Sequence, residues 1–208
     1  MRILIYTLYI FNDESRRLER YRLENYMNMP YTTHNAMTVS DFFAHTASYI
    51  GWTSSGFLEK WSQFSKGEVR PSFVFRRVFE GGHIAGSMHY AGLAADMNCN
   101  HSSDIFPFSE PKHIALSPAG FPEIHPGDIG LFVLVFQDAL AALGFTDGEL
   151  DGFFGHKTLK AFRDFKSAYG IDGNDFCDTA TWKKLTFHAT GCGVSENVKY
   201  LIKHKIIF

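Results

Sequence analysis

Apolar and polar positions alternate over RILIYTLYI at residues 2–10, and this period of two predicts an opening β-strand. A second strand-like run is SFVFRRVF at 72–79. Between them the pattern changes to a helical one. In SSGFLEKWSQFS at 54–65, Phe57, Leu58, Trp61 and Phe64 recur at helical spacing and predict a buried face. Ser54 or Ser55 is placed to cap that helix, and Trp52 and Trp61 are expected in the core. Residues 97–130 lose periodicity. Pro107, Pro111, Pro118, Pro122 and Pro126 predict a linker or irregular loop there.

From 131 the helical pattern returns. LFVLVFQDALAALGF is apolar nearly all round and should stop at Gly144. A glycine-punctuated turn then leads into a helix with Leu159, Phe162, Phe165 and Tyr169 near one face. TATWKKL at 179–185 predicts a short third helix, with Thr179 or Thr181 near its start. One of Phe153 and Phe154 is expected to be buried. The fold class is therefore α+β: a mixed N-terminal part, then an all-α three-helix part.

Composition narrows the function classes. The 208 residues are 45% hydrophobic and 20% charged, as in an ordinary globular protein. The formal net charge of −2, with both signs interspersed, sets no field for a polyanion, so nucleic acid is not an expected partner. Three cysteines without a CxxC pair indicate neither a disulfide framework nor a cysteine zinc site. The opening run is too short to span a membrane and lacks a small-residue cleavage site, so neither a membrane span nor a secretory signal is expected.

Two stretches carry candidate chemistry. The first is GSMHYAGLAAD at 86–96, where a histidine and an aspartate stand seven positions apart with small residues between them. Imidazole and carboxylate are both zinc ligands, and Gly92, Ala94 and Ala95 allow the backbone to pass close to a metal. Ser87, His89, Gly92, Ala94 and Asp96 fill every position of the S-x-H-x-x-G-x-A-x-D motif, so the stretch resembles the VanY-like zinc D-Ala-D-Ala carboxypeptidases. The resemblance implies that His89 and Asp96 bind zinc, that a second histidine completes the site and that a glutamate acts as general base. It also implies an upstream arginine, Arg76 or Arg77, that binds substrate or polarises its carbonyl, and Ser87 on the substrate side. Arg77 is favoured for the cleft.

The family takes its last ligand from a Trp-His pair, which this chain does not contain. The candidate is His113 in SEPKHIAL, with Glu110 three residues before it as candidate base; His101 and His125 are the fallbacks. His83, in a glycine-rich turn, reads as structural or as a substrate contact.

The second stretch is the helical part. Gln137, Leu140, Asp151, Gly152, Gly155, Thr158, the AFRDFKSAYGI run, Thr181-Trp182 and Leu185 follow the order of the three-helix peptidoglycan-binding domain of cell-wall hydrolases, which this part resembles. One departure is the turn before Thr181, where Asn174, Asp175 and Asp178 replace an Asp-Gly repeat.

The two resemblances together imply a shortened zinc-peptidase domain over 1–118, a peptidoglycan-binding domain over 119–187 and a tail of unassigned role over 188–208. They imply zinc-dependent hydrolysis of peptidoglycan stem peptides, as a D,D-carboxypeptidase or endopeptidase, at the cell wall or outside the cell. The alternative is a catalytically degenerate protein that binds wall material without a third zinc ligand.

Overall fold

The computed structural model describes residues 2–84, 86–97, 112–115, 120–145 and 150–192, with 112–115 and 191–192 as backbone alone. The chain divides into two units: Met1–Arg76 with Ala91–Pro118, and Arg77–Tyr90 with Ala119–Phe208.

The first unit is built on a three-stranded sheet. β1 (Ile5–Asn12) and β2 (Arg17–Glu24) form an antiparallel hairpin with Ile5 opposite Glu24. The turn is set by Asn12, whose side-chain oxygen accepts the amides of Glu14 and Ser15 at 3.0 and 2.9 Å. A single helical turn, α1 (Val39–Phe42), lies in the connection to β3 (Ile50–Ser54). β3 pairs parallel with the other edge of β1, giving the order β2-β1-β3.

Helix α2 (Ser55–Ser65) follows β3 without a loop, because Ser54 caps it by accepting the Phe57 amide at 3.1 Å. Asp13 accepts the Gly56 amide at 2.8 Å, placing a carboxylate at the helix N-terminus. Phe57, Leu58 and Trp61 are buried with Leu8, Ile10, Trp52 and Phe75. Phe64 departs from the expected face and is 40% exposed, its ring tilted against Trp61. Trp61 loses no hydrogen bond on burial, since its indole N–H donates to the Ala36 carbonyl.

Two expectations are corrected here. SFVFRRVF does not form a continuous strand: Phe73 makes a single bridge to Asp96, and a 3-10 turn follows at Val78–Glu80. The chain passes from one unit to the other between Arg76 and Arg77, so no one ladder can hold the whole run. The proline-bearing stretch is also not wholly irregular. β5 (Lys112–Ala115) pairs antiparallel with β4 (Ala94–Met97), fitting between Pro111 and Pro118, where flanking prolines leave its ladder intact.

The second unit contains α3 (Leu131–Ala142), α4 (His156–Ala168) and α5 (Thr179–Phe187). Helix α3 ends as expected at Gly144, where the Phe145 amide returns to the Leu140 carbonyl at 2.9 Å. The cap of α5 is Asp178, accepting the Thr181 amide at 2.7 Å, so one of the replaced turn residues has a structural task. Phe136, Phe154, Phe162, Phe165, Trp182 and Leu185 fill the core, each ring contributing about 1.5–3 kcal/mol by burial. Phe136 meets Phe162 and Trp182 edge-on, with ring centroids 5.1 and 5.4 Å apart. Residues 120–130 belong to this core rather than to a linker. Phe121 and Ile124 are buried, Ile124 bridges Cys177, and the Pro122 carbonyl accepts the Trp182 indole N–H at 2.8 Å.

Candidate functional site

In the helical unit the motif residues satisfy one another. Gln137, on α3 and 1% exposed, donates from its amide to Asp151 Oδ1 at 2.8 Å and to Thr158 Oγ1 at 3.1 Å. Its oxygen accepts the Gly152 amide at 2.9 Å, and Thr158 donates onward to the Phe153 carbonyl at 3.2 Å. One buried amide thus fixes the turn that starts α4. A Cβ at Gly155 would lie 2.9 Å from the Phe153 ring, which would have to turn aside. Phe154 is buried and Phe153 is 44% exposed. The reshaped turn is tied to α4 by Arg163, whose Nε donates to Asp175 at 3.0 Å, and by Lys166, which donates to the Gly173 and Asn174 carbonyls. The Arg163 guanidinium holds the Asp175 carboxyl below its ordinary range.

The peptidase-like stretch is built differently. Gly92 has φ +64°, and a Cβ there would fall 2.0 Å from the Trp52 carbonyl oxygen, so only glycine fits. The Gly92 carbonyl accepts the Thr53 hydroxyl at 2.7 Å, locking the motif's centre to β3. Asp96 lies in β4, which is held along both edges: its amide donates to the Phe73 carbonyl and its carbonyl accepts the Ser72 amide, both at 2.8 Å. On the other edge Asp96 and His113 are Cα partners. His113 therefore occupies a strand position directly opposite the motif aspartate, where a loop was expected.

His89 is 2% exposed and lies in the second unit, in a 3-10 turn at Met88–Ala91. Its amide faces the Ser87 hydroxyl oxygen at 3.4 Å. The His83 ring stacks on it with centroids 4.5 Å apart. Tyr90 fixes His83 from below, its hydroxyl accepting the His83 amide at 3.1 Å and donating to the His83 carbonyl at 3.0 Å.

The two arginines part company. Arg77 is 2% exposed and its guanidinium is engaged by Asp138 of α3, with Nε 2.8 Å from Oδ1 and Nη2 also bonded to that oxygen. Arg76, in the first unit, is partly exposed and lies over the Phe73 ring at 5.5 Å, its Nε donating to the His45 carbonyl at 3.0 Å. His45 stacks on the same ring at 5.1 Å. Its neighbours in sequence are unremarkable and carried no signal for it. Asp138 did carry one: with Gln137 it forms the only polar pair in an otherwise apolar helix.

Among the described residues, no three His, Cys, Asp or Glu side chains form a group that could hold a metal ion. Glu110 and His101 lie outside the described residues, as does the side chain of His113. His125 stacks on Phe176 at 4.8 Å in the helical unit. As a donor set, two imidazoles and a carboxylate suit zinc. The Asp96–His113 register brings two of those three positions together on the backbone.

Residues 130–185 match the family model described as "Putative peptidoglycan binding domain". The match spans α3 to α5 and the whole Gln137 network. It supports association with the cell wall and peptidoglycan as a partner. The peptidase-like stretch finds no matching family model. Compared with proteins of curated function, the chain matches none. Among the described residues no helix is long and apolar enough to cross a membrane.

Proposed function

We propose that this chain is a wall-targeted zinc peptidase, hydrolysing peptidoglycan stem peptides as a D,D-carboxypeptidase or endopeptidase. The observation that carries the reading is the complete motif from Ser87 to Asp96 on the same chain as a peptidoglycan-binding domain. His89, Asp96 and His113 are the proposed zinc ligands. Bound zinc would supply a water of pKa about 7 and polarise the scissile carbonyl.

The chain's own residues do the rest. The pinned β4 strand holds the Asp96 backbone at a fixed place, and Gly92 lets the connecting chain pass tightly against the Trp52 carbonyl of β3. Glu110 takes the proton from the attacking water and delivers it to the leaving amine. Arg76 replaces Arg77 as the group for a substrate carboxylate, because Arg77 is committed to Asp138 and Arg76 keeps contact with solvent. An arginine suits a peptide terminus, since its fork donates two parallel hydrogen bonds to one carboxylate.

A digest of purified peptidoglycan, with products identified by mass, tests the reaction. Release of free D-Ala identifies the carboxypeptidase, and cleavage within the stem or cross-bridge identifies the endopeptidase. Binding to peptidoglycan without any product, in the presence of zinc, contradicts hydrolysis and leaves the wall-binding protein.

A further inference from the structure

We infer that Arg77 and Asp138 are positioning residues that dock the His89-bearing segment onto the first helix of the wall-binding domain, so that metal affinity depends on that helix. The inference rests on the zinc reading above.

Asp138 has no exposure, yet it lies in the middle of α3. Among the described residues, the partners of its carboxylate come from the start of the 77–90 segment: two guanidinium nitrogens of Arg77, and the Val78 amide at 3.0 Å. Arg77 is held in turn by its own amide, which donates to Glu80 Oε2 at 3.0 Å, and its guanidinium lies 5.0 Å over the Phe79 ring. From this anchor the segment stays packed. Val78, Met88 and Tyr90 are buried, the Gly120 amide donates to the Gly86 carbonyl at 3.3 Å, and Gly81 passes against the Thr190 carbonyl. Its far end is the His83–Tyr90–His89 cluster.

A buried ion pair adds little net stability over apolar residues of the same volume, because desolvation offsets the attraction. What it does supply is register, since two guanidinium nitrogens converge on Oδ1 while the Val78 amide takes Oδ2, a set of bonds that one arrangement of the segment satisfies. Simple adhesion of the segment to α3 would need only apolar side chains. A fixed register is what a ligand-bearing segment requires.

The test uses the full chain with Asp138→Asn and Arg77→Lys. Amide hydrogen exchange reports the docking at Val78, Glu80 and Gly81, and cobalt(II), added in place of zinc, reports the metal site through its visible absorption. Asp138→Asn is expected to speed exchange at those three amides while α4 and α5 stay protected. It should also weaken cobalt binding about 10-fold or more, the usual effect of losing a group that orients a ligand. Arg77→Lys, which keeps the charge and loses the fork, should fall between the two.

If Asp138→Asn fails to fold by far-ultraviolet circular dichroism, Arg77→Lys carries both measurements. Unchanged exchange in the variants overturns the docking. Faster exchange with cobalt affinity and spectrum as in the parent overturns the positioning role. A parent chain that binds no cobalt overturns the zinc reading itself, and the positioning role with it.

Discussion

The Gln137 network and the Asp96 strand both organise a motif, but they close on themselves to different degrees. In the wall-binding domain, Asp151, Gly152 and Thr158 are all partners of Gln137, itself one of the motif residues. The residues that carry the resemblance therefore also hold the turn before α4, and they lie within the 130–185 stretch that matches the family model. In the peptidase-like stretch, Gly92 and Asp96 are fixed by backbone contacts to Trp52, Thr53, Ser72 and Phe73, none of which is in the motif. Its residues also divide between two units, His89 in one and Asp96 in the other. A motif whose supports lie elsewhere in the chain leaves a short signature, and a signature alone reports chemistry more than fold.

Substitutions should separate these two ways of building. The largest effect is expected from Gly92→Ala, which forces a side chain to φ +64° and a Cβ to within 2.0 Å of the Trp52 carbonyl oxygen. The expected loss is at least about 4 kcal/mol, read as lost amide protection along β1 and β3. Native protection in that variant would show that the motif's backbone is not held by β3. Gln137→Leu comes next. It removes the acceptor of the Gly152 amide and a donor to Thr158, and should destabilise the helical unit by about 3 kcal/mol in urea unfolding. Peptidoglycan co-sedimentation should weaken with it. An unchanged midpoint would mean that the motif is held by core packing and not by this network.

The smallest effect is expected at Asp178→Ala, about 1 kcal/mol for a lost helix cap. The Thr181 hydroxyl and amide hold the Asp178 carboxyl below its ordinary value of 3.8. A depressed folded pKa means that the carboxylate stabilises the fold fully above the unfolded value and stops doing so as pH falls through the folded one. The difference between parent and Asp178→Ala should therefore be constant near neutral pH and vanish in acid. A difference that stays undiminished as the pH falls well below 3.8 would assign the effect to something other than the cap.

The helical unit was the more legible in sequence, for a physical reason. Helices α3 and α4 are apolar or amphipathic over more than ten residues, and Gly144 and Gly170 mark their ends as backbone chemistry requires. The failures were of other kinds. SFVFRRVF reads as one strand because its side chains are uniformly apolar or long, while the chain in fact changes units at Arg76–Arg77. KHIA is too short to show a period, so a four-residue strand between prolines is read as loop. Phe64 falls on the helical spacing yet faces outward, since periodicity gives an angle and not the extent of the surface opposite. The pairing of Arg77 with Asp138 was signalled only from the other side: a carboxylate inside an apolar helix requires a cation, and the nearby sequence of α3 offers none.

The central claim is that His89, Asp96 and His113 hold one zinc ion. Metal analysis of the purified full chain, equilibrated with zinc and freed of excess, tests it directly. The account predicts one zinc per chain, lost in His89→Ala, Asp96→Asn and His113→Ala and kept in His101→Ala and His125→Ala. No stoichiometric zinc in the parent, or zinc retained in His89→Ala and His113→Ala, would contradict it.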